Sequence, residues 1–218
     1  VVLATTFACT STPAQSPAPA PTPGPTSGPS AEELEALYLA RADSALLNVS
    51  PADVRFMTGM IPHHAQALVM SGLAPKNGAS PQIQTLAARI INAQKDEIAL
   101  MQTWLRDRNQ SVPEVHEGGH MMSHDMHMAG MLTPEQMEEL EAAKGTDFDR
   151  TFLTFMIQHH EGAVSMVHEL FATDGAAQDD LAFKLASDIQ VDQITEVARM
   201  QSMLDAMPDP NEGPQLQR

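Results

Sequence analysis

The chain has 218 residues, enough for one large domain or two small ones, with 28 acidic against 12 basic side chains and a formal net charge of −16. That balance excludes nucleic acid and anionic membrane surfaces as partners, because both demand basic patches. The single cysteine, Cys9, excludes an intramolecular disulfide and a cysteine-built zinc site.

Residues 1–9, Val1 to Cys9, read as the remnant of an apolar export signal running through a small residue into a cysteine. The pattern is that of a lipoprotein signal with Cys9 as the lipidated residue, although Thr6 stands where a leucine is usual. Residues 10–29 are rich in proline, alanine, serine and threonine and carry no charge. They cannot build a packed core and read as a disordered, polyproline-like tether. No stretch approaches the roughly 20 apolar residues of a membrane span.

From residue 30 the chain reads as helix after helix, with residues 30–207 forming one duplicated helical domain. Ser30 and Glu33 form a capping box that opens a helix to about Leu47. Ser50-Pro51 and Ser80-Pro81 place a cap before a proline at the first helical position, predicting helices over about 51–71 and 81–108. Residues 109–132 carry no apolar period and read as a loop. Thr133 to Gln136 is another capping box, opening a short helix that Gly145 is expected to end. Helices over about 147–172 and 179–206 follow, and residues 208–218 are a polar tail.

One segment appears twice. Asp53, Phe56, Met57, Met60, Ile61, His63, His64, Ala67 and Met70 return as Asp149, Phe152, Leu153, Met156, Ile157, His159, His160, Ala163 and Met166, at a constant offset of 96 residues. The following helices repeat as well. Ile90, Gln94, Glu97 and Met101 match Ile189, Gln193, Glu196 and Met200, offset by 99. Each half is therefore a short helix followed by a long helical hairpin. Two hairpins bury four apolar stripes most simply as a four-helix bundle, so the fold class is all-α.

At about 100° per residue, the two histidines of each copy edge the core-facing stripe, with Met60 or Met156 between them in angle. On the partner helix Gln94 and Glu97 fall within about 60° of the apolar stripe centred on Ile90, and Gln193 and Glu196 repeat the pattern. Buried without partners, these groups would cost a few kcal/mol each (~1–3). The facing histidines are their natural partners. Two readings follow: the glutamates lock the imidazoles as polar girders, or they orient a metal-binding set of His63, His64, Met60 and Met70 with His159, His160, Met156 and Met166.

The loop is richer still. His116, His120, Met121, Met122, His124, Met126, His127, Met128 and Met131 fall within 16 residues that also hold glycines and no branched apolar side chain. Core packing does not explain such a segment, and exposed methionines are prone to oxidation. Thioether sulfur with imidazole is a ligand set for copper(I), with silver as its surrogate.

These motifs closely resemble the bacterial ferritin-like family catalogued as domain of unknown function 305, whose members include CopM-type periplasmic copper-binding proteins. The resemblance spans about residues 50–205 and involves all four long helices. It implies a ferritin-like four-helix bundle exported to the periplasm or cell surface and, for some members, copper binding and tolerance. A di-iron oxidase built on Glu-x-x-His departs from this chain, where Leu100 follows Glu97 and Arg199 follows Glu196 at that spacing. The expectation is an exported copper(I) scavenger, buffer or carrier rather than an enzyme. Its partners are the metal ion and other copper-handling proteins, with the membrane reached only through a lipid anchor. A metal-independent helical scaffold and an iron or manganese oxidase are the alternatives.

Overall fold

The computed structural model describes residues 28–47, 49–114 and 128–208, with residues 41–47 described by backbone alone. Among the described residues there are six helices and no strand: α1 (Ala31–Leu47), α2 (Pro51–Gly72), α3 (Pro81–Asp107), α4 (Pro134–Ala142), α5 (Gly145–Ala172) and α6 (Asp180–Asp205). None is long and apolar enough to cross a membrane. The chain forms two compact units, residues 1–40 and 41–218, and the second holds the bundle.

Local chemistry accounts for most helix starts. Ser50 accepts a hydrogen bond from the Ala52 N–H, Ser80 from that of Ile83 and Asp179 from that of Ala182, with Pro51 and Pro81 supplying pre-set first residues. Thr133 and Gln136 close a reciprocal capping box. The exception is α5, which begins at Gly145 rather than near Asp147 and has no side-chain cap. Its start is held from elsewhere. The Asn77 carbonyl accepts from the Gly145 N–H at 2.9 Å, while the Asn77 amide donates to the carbonyls of Leu140, Glu141 and Ala143 at 3.0–3.1 Å. Gly145, with φ +57°, occupies a conformation that glycine adopts without penalty.

Helices α2 and α3 form one hairpin and α5 and α6 the other, with α4 lying on α5. The hairpins join mainly through α2 against α5, while α3 and α6 meet over a much shorter stretch. The two copies run in opposite directions. Asp53 at the start of α2 accepts from the Ala177 N–H beyond the end of α5 (2.7 Å), and Asp149 near the start of α5 accepts from the Ser80 N–H beyond the end of α2 (3.1 Å). Each copy thus caps the turn of the other hairpin.

That crossing divides the apolar core in two. One half gathers Phe56, Met57, Met60, Met101, Trp104 and Val167, with Met166 packed on its edge. The other gathers Met70, Ile90, Phe148, Phe152, Met156 and Met200. The sequence between these halves, on both α2 and α5, is the histidine pair.

Candidate metal centre

The four bundle histidines, His63, His64, His159 and His160, are completely buried. Each offers its Nε2 to a fixed oxygen. His64 meets Glu97 Oε2 at 2.8 Å and His160 meets Glu196 Oε2 at 2.7 Å. His63 meets the Ala129 carbonyl at 3.0 Å, and His159 meets the carbonyl of His63 at 2.9 Å. Carbonyl oxygens only accept, so the Nε2 atoms of His63 and His159 carry the proton, and in the neutral rings their Nδ1 atoms keep the lone pair. All four Nδ1 atoms are buried, and none has a hydrogen-bond partner among the described residues.

Electrostatics keep the central pair neutral. Burial, followed by the nearby His64 and His160, pushes the His63 imidazole down from its usual 6.5 to about 3, against the opposing pull of the Ala129 carbonyl. Burial, then His63, His160 and His64, holds His159 well below the ordinary histidine range. The His63 and His159 rings lie 3.9 Å apart, centre to centre. Two imidazolium rings at that distance would repel strongly.

The methionines distribute in crossed pairs. Met60 and Met166 belong to one half of the core, Met70 and Met156 to the other. Thioether sulfur therefore flanks the imidazole layer on both sides. Among the described residues, no three His, Cys, Asp or Glu side chains are grouped as ligands of one ion. The side chains of and beside the layer are imidazole and thioether, ligand types associated with soft monovalent copper.

The glutamates take the place the sequence suggests, each hydrogen-bonded to one histidine. The glutamines do not. Gln94 and Gln193 are buried, but neither pairs with an imidazole, and both instead line a cavity between α3 and α6. The helix angle placed them on the core stripe correctly, but that stripe faces a cavity lined by both helices at this level.

Of the loop residues, His116, His120, Met121, Met122, His124, Met126 and His127 lie outside the described residues, as does Cys9. Met128 and Met131 are half-buried. The end of the loop is docked on the histidine layer, a feature the sequence reading missed. Gln66 donates to the Leu132 carbonyl at 3.1 Å and accepts from its N–H at 2.8 Å. The repeat partner of Gln66 is Gly162, against which Ala129 and Gly130 lie so closely that a Cβ there would stand 2.1 Å from the Ala129 oxygen. The Met128 sulfur and the Met166 methyl both lie against Gly59, within 3.5 Å of where its Cβ would be. Two mid-helix glycines were the available signal, since such residues mark close approach of another chain segment.

Comparison with known proteins agrees with this architecture. Residues 53–204 match the model of the family described as domain of unknown function DUF305. A crystal structure of a DUF305 fragment from Deinococcus radiodurans superposes with a TM-score of 0.62 at 26% identity, covering 73% of this chain and 99% of that one. A DUF305 protein from Streptomyces coelicolor, described as secreted, gives 0.60 at 27% identity over 71% and 92% of the two chains. CopM in its Cu(I)-bound form gives 0.54 at 28% identity over 70% and 95%, and its Cu(II)- and silver-bound forms match similarly. An uncharacterised protein of Acanthamoeba polyphaga mimivirus shares 39% identity over 56 residues, which is 26% of this chain and only 37% of that protein.

Proposed function

The chain belongs to the DUF305 family, and from that premise we propose that it is an exported copper(I)-binding protein, a scavenger, buffer or carrier that contributes to copper handling or tolerance. The observation that carries this reading is the set of four buried Nδ1 atoms with no partner among the described residues, each on an imidazole already oriented through its other nitrogen. A buried polar atom left unsatisfied is costly unless something binds it. Met60 with Met166, and Met156 with Met70, supply soft sulfur on either side. The His116–Met131 loop would capture the ion first, with Met128 at its docked end handing over toward the layer. Resemblance to CopM, which binds Cu(I), Cu(II) and silver, supports the metal. Resemblance to a relative described as secreted supports export to the periplasm or cell surface, where Cys9 would carry the lipid.

The glutamate–histidine bonds also favour a second reading, in which the layer is a polar lock fixing how the hairpins register and no metal is needed. Anaerobic titration with Cu(I) or Ag(I) separates the two. The intact protein should bind saturably. A variant with Met121, Met122, Met126, Met128 and Met131 changed to leucine should lose the loop sites, and one with all four bundle histidines changed to glutamine should lose the core sites. Absence of saturable binding by the intact protein would leave only the polar lock.

A further inference from the structure

The short meeting of α3 and α6 leaves a cavity of about 270 Å³ on the side of the bundle away from the α2–α5 contact. Its floor is polar. Gln94, 1% exposed, has neither its amide nitrogen nor its amide oxygen hydrogen-bonded, and Gln193, 2% exposed, has an unpartnered amide oxygen. Glu97 and Glu196 stand one helical turn further along, each with one oxygen engaged by a histidine. Asp192 completes an acidic wall, its carboxyl pushed up by burial and then by Glu97, Glu196 and Asp188. Arg89 and Arg199 sit exposed at the rim, and no ion pair joins either to these carboxylates among the described residues.

Three carboxylates and two amide oxygens around one space form an oxygen-only donor set, unlike the imidazole and thioether of the histidine layer. Oxygen sets select hard divalent cations. The spacing adds a second restriction. These carboxylates are not grouped closely enough to ligate one bare ion, and the cavity is several times larger than the roughly 30 Å³ share of a single water. An ion that keeps its own water shell bridges both gaps: its waters donate to the carboxylates and to the amide oxygens, and fill the volume.

We infer that the α3–α6 cleft binds a hydrated divalent cation through its water shell, by the carboxylates of Glu97, Asp192 and Glu196 and the buried amides of Gln94 and Gln193. This site shares Glu97 and Glu196 with the histidine layer but takes none of the copper ligands proposed above, and it does not require that copper binds. Binding would neutralise the wall on which Glu97 and Glu196 hold His64 and His160, and would brace the two hairpins across the α3–α6 cleft.

Mn(II) binding to the intact protein, followed by its electron paramagnetic resonance in about physiological salt, tests the inference. Saturable binding of a single Mn(II) that hexaamminecobalt(III), an inert mimic of a hydrated cation, displaces is the expected result. Asp192→Asn should weaken it tenfold or more, and so should the double change Gln94→Leu and Gln193→Leu. The leucines remove unsatisfied amides at similar volume, so folding should survive, which circular dichroism checks. Ag(I) stoichiometry should be unchanged in both variants. The inference is overturned if Mn(II) does not saturate, if hexaamminecobalt(III) fails to displace it, if the variants bind as the parent does, or if Ag(I) expels Mn(II) stoichiometrically.

Discussion

His159 donates its Nε2–H to the main-chain carbonyl of His63 at 2.9 Å, so two residues at the same position of the sequence repeat are bonded directly to one another. The bond is not reciprocated. The His63 ring turns instead to the Ala129 carbonyl, at the end of the loop that links the two copies. The duplication is thus symmetric in sequence and asymmetric in bonding, and the loop takes the place that a second cross-repeat bond would have held.

Acid should destabilise the metal-free bundle steeply. His63 has a folded-state value near 3 against 6.5 for the free side chain. Between those values the unfolded chain binds a proton that the native state refuses, so stability falls as pH falls. Each such group contributes about 1.4 kcal/mol per pH unit. With His159 shifted in the same direction, the slope should approach about 3 kcal/mol per unit below pH 6.5. Asp53 acts in the opposite sense, since burial raises its carboxyl and its protonation in acid relieves the native state. Urea midpoints at pH 7, 6 and 5 give the slope. A flat profile would contradict the buried neutral pair.

The two mid-helix glycines should respond oppositely to alanine. At Gly59 an added Cβ meets Met166 and Met128 at ordinary contact distances of 3.4 and 3.5 Å. Gly59→Ala should therefore stabilise by about 0.5–1 kcal/mol through helix propensity. At Gly162 the same atom would stand 2.1 Å from the Ala129 oxygen and 2.5 Å from the Gly130 Cα. Gly162→Ala should cost about 1–3 kcal/mol and expose the 129–132 amides to hydrogen exchange.

Glu97→Gln and Glu196→Gln keep an oxygen for the histidine Nε2–H but remove the carboxylate charge. The metal-free protein should change in stability by no more than about 1 kcal/mol. Silver affinity should fall roughly 10- to 100-fold, as it does when a partner that orients a ligating histidine is lost. Unchanged affinity in both variants would place the metal away from the layer.

Asp53 and Asp149 cap opposite turns, so their removal should be additive. Asp53→Ala leaves the Ala177 N–H unpaired in a buried turn, and Asp149→Ala does the same to the Ser80 N–H. Each should cost about 1–3 kcal/mol, with the double variant within roughly 0.5 kcal/mol of the sum. Asparagine, which retains an acceptor, should cost less at either site. Chemical denaturation of the four proteins measures this.

The sequence by itself determined the helices, their duplication and the content of the polar layer. Proline-first caps and a 3.6-residue apolar period act locally, so Pro51, Pro81 and Pro134 start helices where their residue types require. The same period placed His64 on the face that meets Glu97. Only the tertiary structure decided the rest. The antiparallel crossing of α2 and α5 puts Met60 in the same half of the core as Met166 rather than with its own repeat partner Met156, and a repeat is silent about direction. The start of α5 moved to Gly145 because Asn77, 68 residues earlier, satisfies its N–H. Gln94 and Gln193 line a cleft between α3 and α6 rather than meeting histidines, and helix angles carry no information about the distance between two axes. The partners of His63 and His159 are main-chain carbonyls, Ala129's and His63's own, which any residue type supplies. No sequence pattern marks such an acceptor, since it comes from where the backbone passes rather than from which side chain it bears.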